Sequence, residues 1–231
     1  MPLSLDTRFC GNVFIIECKG QIVLGHEVQS LEASLRMAER EFSRIVLSVG
    51  GVTRLDSIGL GLLVRLLDKL RKRGGDLRLA EPPPFLAQLL HMTRLTGYVK
   101  TCATEDEAVL SFLDQPCGDV PCDQAGHRVL VIDRSPDLGA FVRAVLAQHG
   151  YQVRSASLIS DARMLLKFQA ADFIVFGPGT PHAACVAGMA ALQTVAPNAV
   201  ARELTSDFNA LDALRGAEML LEMFQVDSAS A

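Results

Sequence analysis

No apolar run in this 231-residue sequence is long enough to cross a bilayer. Residues 1–20 also lack the basic start and hydrophobic core of a secretory signal. The six cysteines are too few and too irregularly spaced for a disulfide scaffold, so free thiols are expected. These absences exclude the integral membrane and disulfide-rich secreted classes, and we expect the protein to be cytoplasmic.

An excess of positive charge is also missing. The net charge is −4, which gives no support for a nucleic-acid partner. The only concentrated basic stretch, Arg71-Lys72-Arg73, lies at the carboxyl end of a predicted helix, where cations stabilise the helix dipole. With 49% apolar and 21% charged residues, the chain has the composition of a folded protein of one large or two small domains.

Signatures of catalysis and of metal binding are absent as well. The nucleophile-elbow pattern G-x-S-x-G does not occur around Ser57, because Leu55 stands two residues before it. Cys117 and Cys122 have an unusual C-x₄-C spacing, and no second Cys/His pair follows them. We therefore expect no enzyme activity, no cofactor and no metal.

The first half of the chain alternates predicted strands with predicted helices, which indicates an α/β fold. Residues 8–24 are predicted to form a β-hairpin around Lys19-Gly20-Gln21, because apolar residues cluster on both sides of it. Further strands are predicted over 44–49, 77–80 and 99–102. Helices are predicted over 26–42, 59–73, 85–92 and 104–113, the last with a capping box of Thr104 and Glu107.

One stretch stands out where the strand 44–49 leads into the helix 59–73. It reads Asp56-Ser57-Ile58-Gly59-Leu60-Gly61. Asp56 and Ser57 are good capping residues, and the two glycines leave the first turn open to a second protein surface. A hydroxyl there faces unpaired N–H groups and the positive end of the helix dipole, where a phosphate is well tolerated.

This stretch resembles the D-S-S/T-G-L-G signature of STAS domains, the anti-sigma-factor antagonists of bacteria. The resemblance extends over residues 8–113 and includes Gly20, Gly74-Gly75 and Leu95-Thr96-Gly97. It implies a mixed sheet with helices, Ser57 as a phosphoacceptor, and residues 56–61 as the partner-binding surface. The implied partner is an anti-sigma factor that is also a serine kinase, and the implied role is signal transduction and transcription regulation by partner switching.

Two positions depart from the family pattern. The first hairpin of the family usually ends in G-x-L/I-D, and here Val23 takes the place of the acid. The family often has an acid where Ser48 stands. Both changes weaken the phosphorylation switch while leaving a binding role open. The alternative is a non-phosphorylated scaffold of a signalling complex or a transporter.

Residues 114–126 contain prolines, glycines and aspartates without a hydrophobic period, which predicts a linker between domains at 1–113 and 127–231. The second domain has predicted strands at 128–133, 152–156, 172–176, 199–204 and 218–224. Its helices are predicted at 136–149, 159–169, 183–195 and 207–215. The order resembles the receiver domain of response regulators, a flavodoxin-like parallel sheet.

The receiver resemblance lacks most of the phosphorylation chemistry. Asp133 stands alone where the family has two acids, and Gly177 follows Phe176 where the family has its acceptor aspartate. Thr205 or Ser206 matches the hydroxyl, and the lysine has no counterpart at 222–224. One carboxylate is a poor Mg²⁺ site. Asp133 and Thr205 are thus interpreted as a vestigial site in a pseudo-receiver.

We expect the role of the pseudo-receiver to be protein contact, homodimerisation or orientation of the first domain. The polar residues after Phe224 are too few for a fifth helix, so we expect one face of its sheet to be open to another surface. An active phosphorelay receiver remains the second alternative for the chain.

Overall fold

The computed structural model describes residues 2–113, 126–205, 208 and 213–228, with the side chains of 215–224 in the last segment. The chain divides into two compact units, Met1–Arg8 with Asn12–Pro121 and Phe9–Gly11 with Cys122–Ala231. The predicted linker lies outside the described residues except for Gly126, and so do Cys117 and Cys122.

The first unit alternates strands and helices as the sequence predicts. Its strands are β1 (Ser4–Cys10), β2 (Val13–Ile22), β3 (Arg44–Leu55), β4 (Asp76–Ala80) and β5 (Lys100–Cys102). Its helices are α1 (His26–Glu41), α2 (Ser57–Lys72), α3 (Pro84–Met92) and α4 (Glu105–Leu113). The strands follow the order β5-β4-β3-β2-β1, and β2 to β5 pair in parallel. The predicted mixed α/β sheet is confirmed.

The core of this unit forms because apolar residues recur at every second position in the strands and at helical spacing in α1 and α2. Ile45 and Leu47 of β3 belong to one buried cluster with Leu31 and Leu35 of α1, and Leu67 of α2 is fully buried in the same cluster. α4 packs against β3, β4 and β5. The capping box of α4 is present, because the Glu107 N–H donates to Thr104 Oγ1 at 3.1 Å.

The predicted position of the first hairpin turn is wrong. β2 runs without interruption through Gly20, and the turn lies at Gly11 and Asn12. Gly20 has a φ of +113°, at an irregularity in the pairing with β3, and a Cβ there would lie 2.3 Å from the carbonyl oxygen of Pro2. Glycine is needed at this bulge because a distant segment approaches the backbone.

The boundaries around the motif also differ from the prediction. β3 does not end at Val49 but continues through Gly50 and Gly51 to Leu55. Val52 and Leu55 are buried, and Lys19 to Ile22 of β2 pair with this extension. α2 consequently begins at Ser57, directly after the strand, and no long loop precedes it.

The second unit contains a parallel sheet with helices between its strands. The strands are β6 (Arg128–Ile132), β7 (Gln152–Ala156), β8 (Phe173–Phe176) and β9 (Val200–Glu203). The helices are α5 (Pro136–Ala147), α6 (Ile159–Phe168), α7 (His182–Gln193) and α8 (Ala213–Ser228). The strand order is β7-β6-β8-β9, with parallel pairing throughout. The predicted helix at 207–215 falls largely outside the described residues.

The predicted strand at 218–224 is wrong, since these residues lie in the middle of α8. Leu220 and Phe224 are four residues apart, are buried, and pack into the core with Phe173. α8 contacts α5. α8 follows β9 and is the fourth helix in the described part of this unit, so it takes the place of the predicted fifth strand.

Candidate functional site

The site of interest is the junction at which β3 passes into α2. Asp56 has extended dihedral angles (φ −99°, ψ 179°) and is the N-cap of α2. Its Oδ1 accepts a hydrogen bond from the Gly59 N–H at 2.8 Å. Ser57 is therefore the first helical residue. The predicted placement of Asp56 and Ser57 at a helix N-terminus is confirmed, and Asp56 is the cap.

The second oxygen of Asp56 ties this junction to the loop after β2. Oδ2 accepts from the Leu24 N–H at 2.7 Å, and the Asp56 N–H donates to the Ile22 carbonyl oxygen at 3.2 Å. The bond from Gly59 and then the bond from Leu24 lower the pKa of the Asp56 carboxyl. One charged carboxylate thus joins two segments that are 32 residues apart in sequence.

The surface offered to a partner is narrower than the six predicted residues. Ser57 is exposed, and Ile58 is 44% exposed beside it. Gly59 and Leu60 are buried, so they do not belong to an accessible surface. Leu24, which no sequence pattern singled out, is 72% exposed. A leucine at the end of an apolar run has no sequence signal that distinguishes it from a core residue.

The two glycines of the motif have different roles. A Cβ at Gly59 would lie 2.7 Å from the carbonyl oxygen of Ile22 and 2.9 Å from Leu55 Cδ1. Gly59 therefore allows α2 to approach β2 closely. A Cβ at Gly61 would have no atom within 4 Å, apart from the helix's own nearby backbone. The helix is open at Gly61, as predicted. At Gly59 the prediction is wrong, because Ile22 and Leu55 occupy the space beside it.

The dipole of α2 favours an anion at its amino end, where the charged carboxylate of Asp56 already lies. No acidic side chain lies in the first turn, and Lys69, Arg71 and Lys72 occupy the last turn. Arg54 contributes to the lowered pKa of Asp56. A negative charge at an exposed helix N-terminus gains about 0.3–1 kcal/mol from the dipole. The Ser57 hydroxyl is accessible and lies where a negative charge is favoured.

The positions that depart from the family pattern lie in the same unit. Val23 is partly exposed and directly precedes Leu24, which is hydrogen-bonded to Asp56. Ser48 is 6% exposed within β3. The substitution at position 23 therefore changes the accessible surface beside the motif, and the one at position 48 changes the interior.

Asp133 and Thr205, for which the receiver resemblance predicts a vestigial site, have a different geometry. Asp133 is 3% exposed after β6. Its Oδ1 accepts from the Ser135 N–H at 2.7 Å and its Oδ2 from the Gly179 N–H at 2.8 Å. Thr205 is exposed and follows β9 by two residues. The carboxylate holds the loop after β8 instead of facing solvent.

Gly177 directly follows β8, at the position that the receiver resemblance assigns to an acceptor aspartate. A Cβ at this position would lie 2.3 Å from Asp133 Oδ2. The space for an acceptor side chain is therefore occupied by the carboxylate of Asp133. The sequence shows that no aspartate stands at position 177. It does not show the contact between Asp133 and this position, because that contact depends on β6 and β8 lying side by side.

Within the described part of the chain, no group of three His, Cys, Asp or Glu side chains is arranged to hold a metal ion. The thiols of Cys18, Cys102 and Cys185 are free, as predicted for them. None of the described helices is both long enough and apolar enough to span a membrane.

A model of the STAS domain family matches residues 4–108. Three solved structures illustrate the similarity. An anti-sigma factor antagonist from Mycobacterium paratuberculosis has 20% identity and a TM-score of 0.45, covering 48% of this chain and 95% of that one. The Bacillus cell fate determinant SpoIIAA in its phosphorylated form has 20% identity and a TM-score of 0.41, covering 47% and 99%.

The third structure is an anti-sigma-factor antagonist (STAS) domain protein from Planctomyces limnophilus, with 19% identity and a TM-score of 0.40. The similarity covers 46% of this chain and 95% of that chain.

Proposed function

Because a model of the STAS domain family matches residues 4–108, we propose that this protein is a cytoplasmic anti-sigma-factor antagonist. It acts by partner switching in signal transduction and transcription regulation, and Ser57 is its phosphoacceptor. The partner is an anti-sigma factor that is also a serine kinase and brings the ATP and Mg²⁺. The chain itself is not an enzyme.

The observation that carries this proposal is the exposure of Ser57 at the first position of α2. The hydroxyl lies beside two exposed apolar side chains, Ile58 and Leu24. Apolar groups of this kind are suited to contact with a protein partner. A kinase that docks on them would find the acceptor hydroxyl within the docking surface.

Phosphorylation would change this surface by charge. It adds about −1.5 to −2 charges at pH 7 in the centre of the contact. The dipole of α2 stabilises those charges within this protein, whereas the partner has to desolvate or repel them. The complex dissociates because the surface becomes unfavourable to the partner, with no rearrangement of the fold required.

We assign the second unit as a receiver-like domain that has lost its phosphoacceptor and serves protein contact or homodimerisation. Support comes from its parallel sheet and from Asp133, whose carboxylate is engaged by two backbone N–H groups. A single buried carboxylate without a neighbouring acid does not supply the oxygen ligands that Mg²⁺ requires.

The test is phosphorylation of the full chain by a purified anti-sigma factor kinase with radiolabelled ATP. We expect label on the wild type and on Ser43→Ala, an exposed serine outside the motif, and none on Ser57→Ala. Label that persists in Ser57→Ala would contradict the assignment of the acceptor.

A non-phosphorylated STAS scaffold is the second candidate, and the partly exposed Val23 favours it. In that case the kinase-type partner binds the wild type and Ser57→Asp equally well, and neither the wild type nor Ser43→Ala acquires label. Under partner switching, Ser57→Asp binds about tenfold more weakly than the wild type, because a like or desolvated charge then lies in the contact.

The remaining candidate is an active phosphorelay receiver. Incubation with acetyl phosphate and Mg²⁺ would then yield a hydroxylamine-labile phosphoryl group on the second unit. We expect no such group on the wild type, because Gly177 leaves no acceptor beside Asp133.

A further inference from the structure

The first unit contains a polar cavity that the motif does not use. Its volume is about 260 Å³. It lies at the amino ends of β3, β4 and β5, since Arg44, Asp76 and Lys100 are the first residues of these strands. Arg71 and Phe112 complete the side-chain lining.

Positive charge is in excess in this cavity. Among the described residues that line it, Asp76 is the one carboxylate, and it forms ion pairs with two cations. Arg71 Nε lies 3.2 Å from its Oδ1, and Lys100 Nζ lies 3.5 Å from its Oδ2. The third cation, Arg44, donates from Nη1 to the Phe112 carbonyl oxygen at 2.9 Å. Among the described residues, no carboxylate lies within ion-pair distance of Arg44.

A fourth cation lies directly behind the lining. Arg78 is 3% exposed, and its guanidinium stacks on the Phe112 ring, 3.9 Å from the ring centroid. Its Nε has no hydrogen-bond partner among the residues that the structure describes. Burial lowers the pKa of Arg78, and the positive charge of Arg44 adds to that effect. Neighbouring cations with a single carboxylate between them create a site that an anion would stabilise.

We propose that this cavity binds a small phosphate-class anion, either inorganic phosphate or the phosphate group of a soluble phosphomonoester. Lys100 and Arg44 are its principal ligands, because each retains N–H donors beyond those engaged in the fold. Asp76 holds Arg71 and Lys100 in place at the rim. The guanidinium of Arg44 offers a pair of donors that suits a phosphate.

The cavity is separate from the proposed switch. Arg44 is the first residue of β3 and Ser57 follows its last residue, so the two sites lie at opposite ends of a 12-residue strand. Failure of the anion site would therefore leave the phosphorylation of Ser57 untouched, and each proposal can fail alone.

The test is an NMR titration of the full chain with sodium phosphate, with sodium chloride at matched ionic strength as the reference. We expect saturable shifts of the amides of residues 74–76 and 100. The Lys100→Gln variant, in which a side chain that is 53% exposed is replaced by one of similar size, should bind phosphate about fivefold more weakly. Arg44→Gln should weaken binding at least as much.

The matched control is Lys72→Gln, an exposed lysine of α2 that does not line the cavity. It should bind phosphate as the wild type does. The proposal is overturned if no saturable shift occurs at 74–76, if the shifts are confined to the amides of 57–60 at the start of α2, or if Lys72→Gln and Lys100→Gln weaken binding equally. The last outcome would mean only a general response to charge.

Discussion

Asp56 and Asp133 make the same kind of contact with opposite results. Each follows a strand, precedes a helix by one or a few residues, and accepts two backbone N–H bonds. Asp56 lies at the surface and holds a loop so that Ser57 and Leu24 remain exposed. Asp133 is buried and fills the space beside Gly177. Both carboxylates make the same kind of hydrogen bond. The location of their N–H donors therefore decides whether the neighbouring surface stays exposed, as at Asp56, or is filled by the carboxylate itself, as at Asp133.

The largest effect is expected when a side chain is added at Gly177, beside the buried carboxylate of Asp133. We expect Gly177→Ala to lower the free energy of unfolding of the second unit by about 3 kcal/mol, because the new Cβ overlaps the carboxylate. Hydrogen exchange would assign the loss to the second unit. Gly216→Ala, a helical position with only ordinary contacts around its Cβ, should cause no loss and could gain up to about 1 kcal/mol; equal losses in both variants would contradict the contact at Gly177.

The corresponding change in the first unit is Gly59→Ala. Its Cβ would meet the backbone of Ile22, which cannot move aside easily, so we expect a loss of about 2 kcal/mol in urea denaturation. Gly61→Ala lies two residues away on the same helix and should gain up to about 1 kcal/mol, because alanine favours helix and nothing obstructs it. If both variants behave alike, Gly59 has no special contact.

Replacing Asp56 should lower the free energy of unfolding less than the changes at Gly177 and Gly59, because Asp56 is close to the surface. Asp56→Ala loses an N-cap and is expected to cost about 1 kcal/mol at pH 7. Asp56→Asn keeps a capping oxygen, so a smaller loss is expected.

The difference between wild type and Asp56→Asn should depend on pH. The folded-state pKa of Asp56 is below its ordinary value of 3.8, so the charged form stabilises the fold above about pH 4. That stabilisation is lost as the pH falls through the lower folded-state pKa. Thermal melts from about pH 7 to about pH 2 should show the two proteins converging at low pH; a constant difference would rule out the charge as its source.

The smallest effect on stability is expected for Ser57→Ala, within about 0.5 kcal/mol, because Ser57 is exposed and Asp56 supplies the cap. Thermal denaturation checks this value. A loss above about 1 kcal/mol would show that the hydroxyl supports the fold, and Ser57→Ala would then no longer isolate the phosphorylation reaction.

Sequence patterns predicted the elements whose signals are local. The strands at β3 and β4, the helix α2 and the cap at Asp56 follow from periodicity and capping chemistry. Errors arose where distant segments meet. Gly20 has the appearance of a turn residue, and only the approach of Pro2 shows that it is a bulge.

The error at 218–224 has a different cause. A short apolar run fits a buried strand and a buried helix segment equally well. The spacing of Leu220 and Phe224 was compatible with a helix, and their packing with Phe173 in the core is what the run alone could not reveal. At the motif, the sequence predicted an accessible Ser57 at a helix N-terminus and did not predict that Gly59 and Leu60 face inward.

The open space around Gly61 offers an experimental handle. A thiol introduced there would lie on the same helix as Ser57, in the first turns, and its Cβ would have no atom of the described residues within 4 Å apart from the helix's own nearby backbone. An environment-sensitive dye attached to it would report the arrival and departure of a partner in real time, with both chain termini left unmodified.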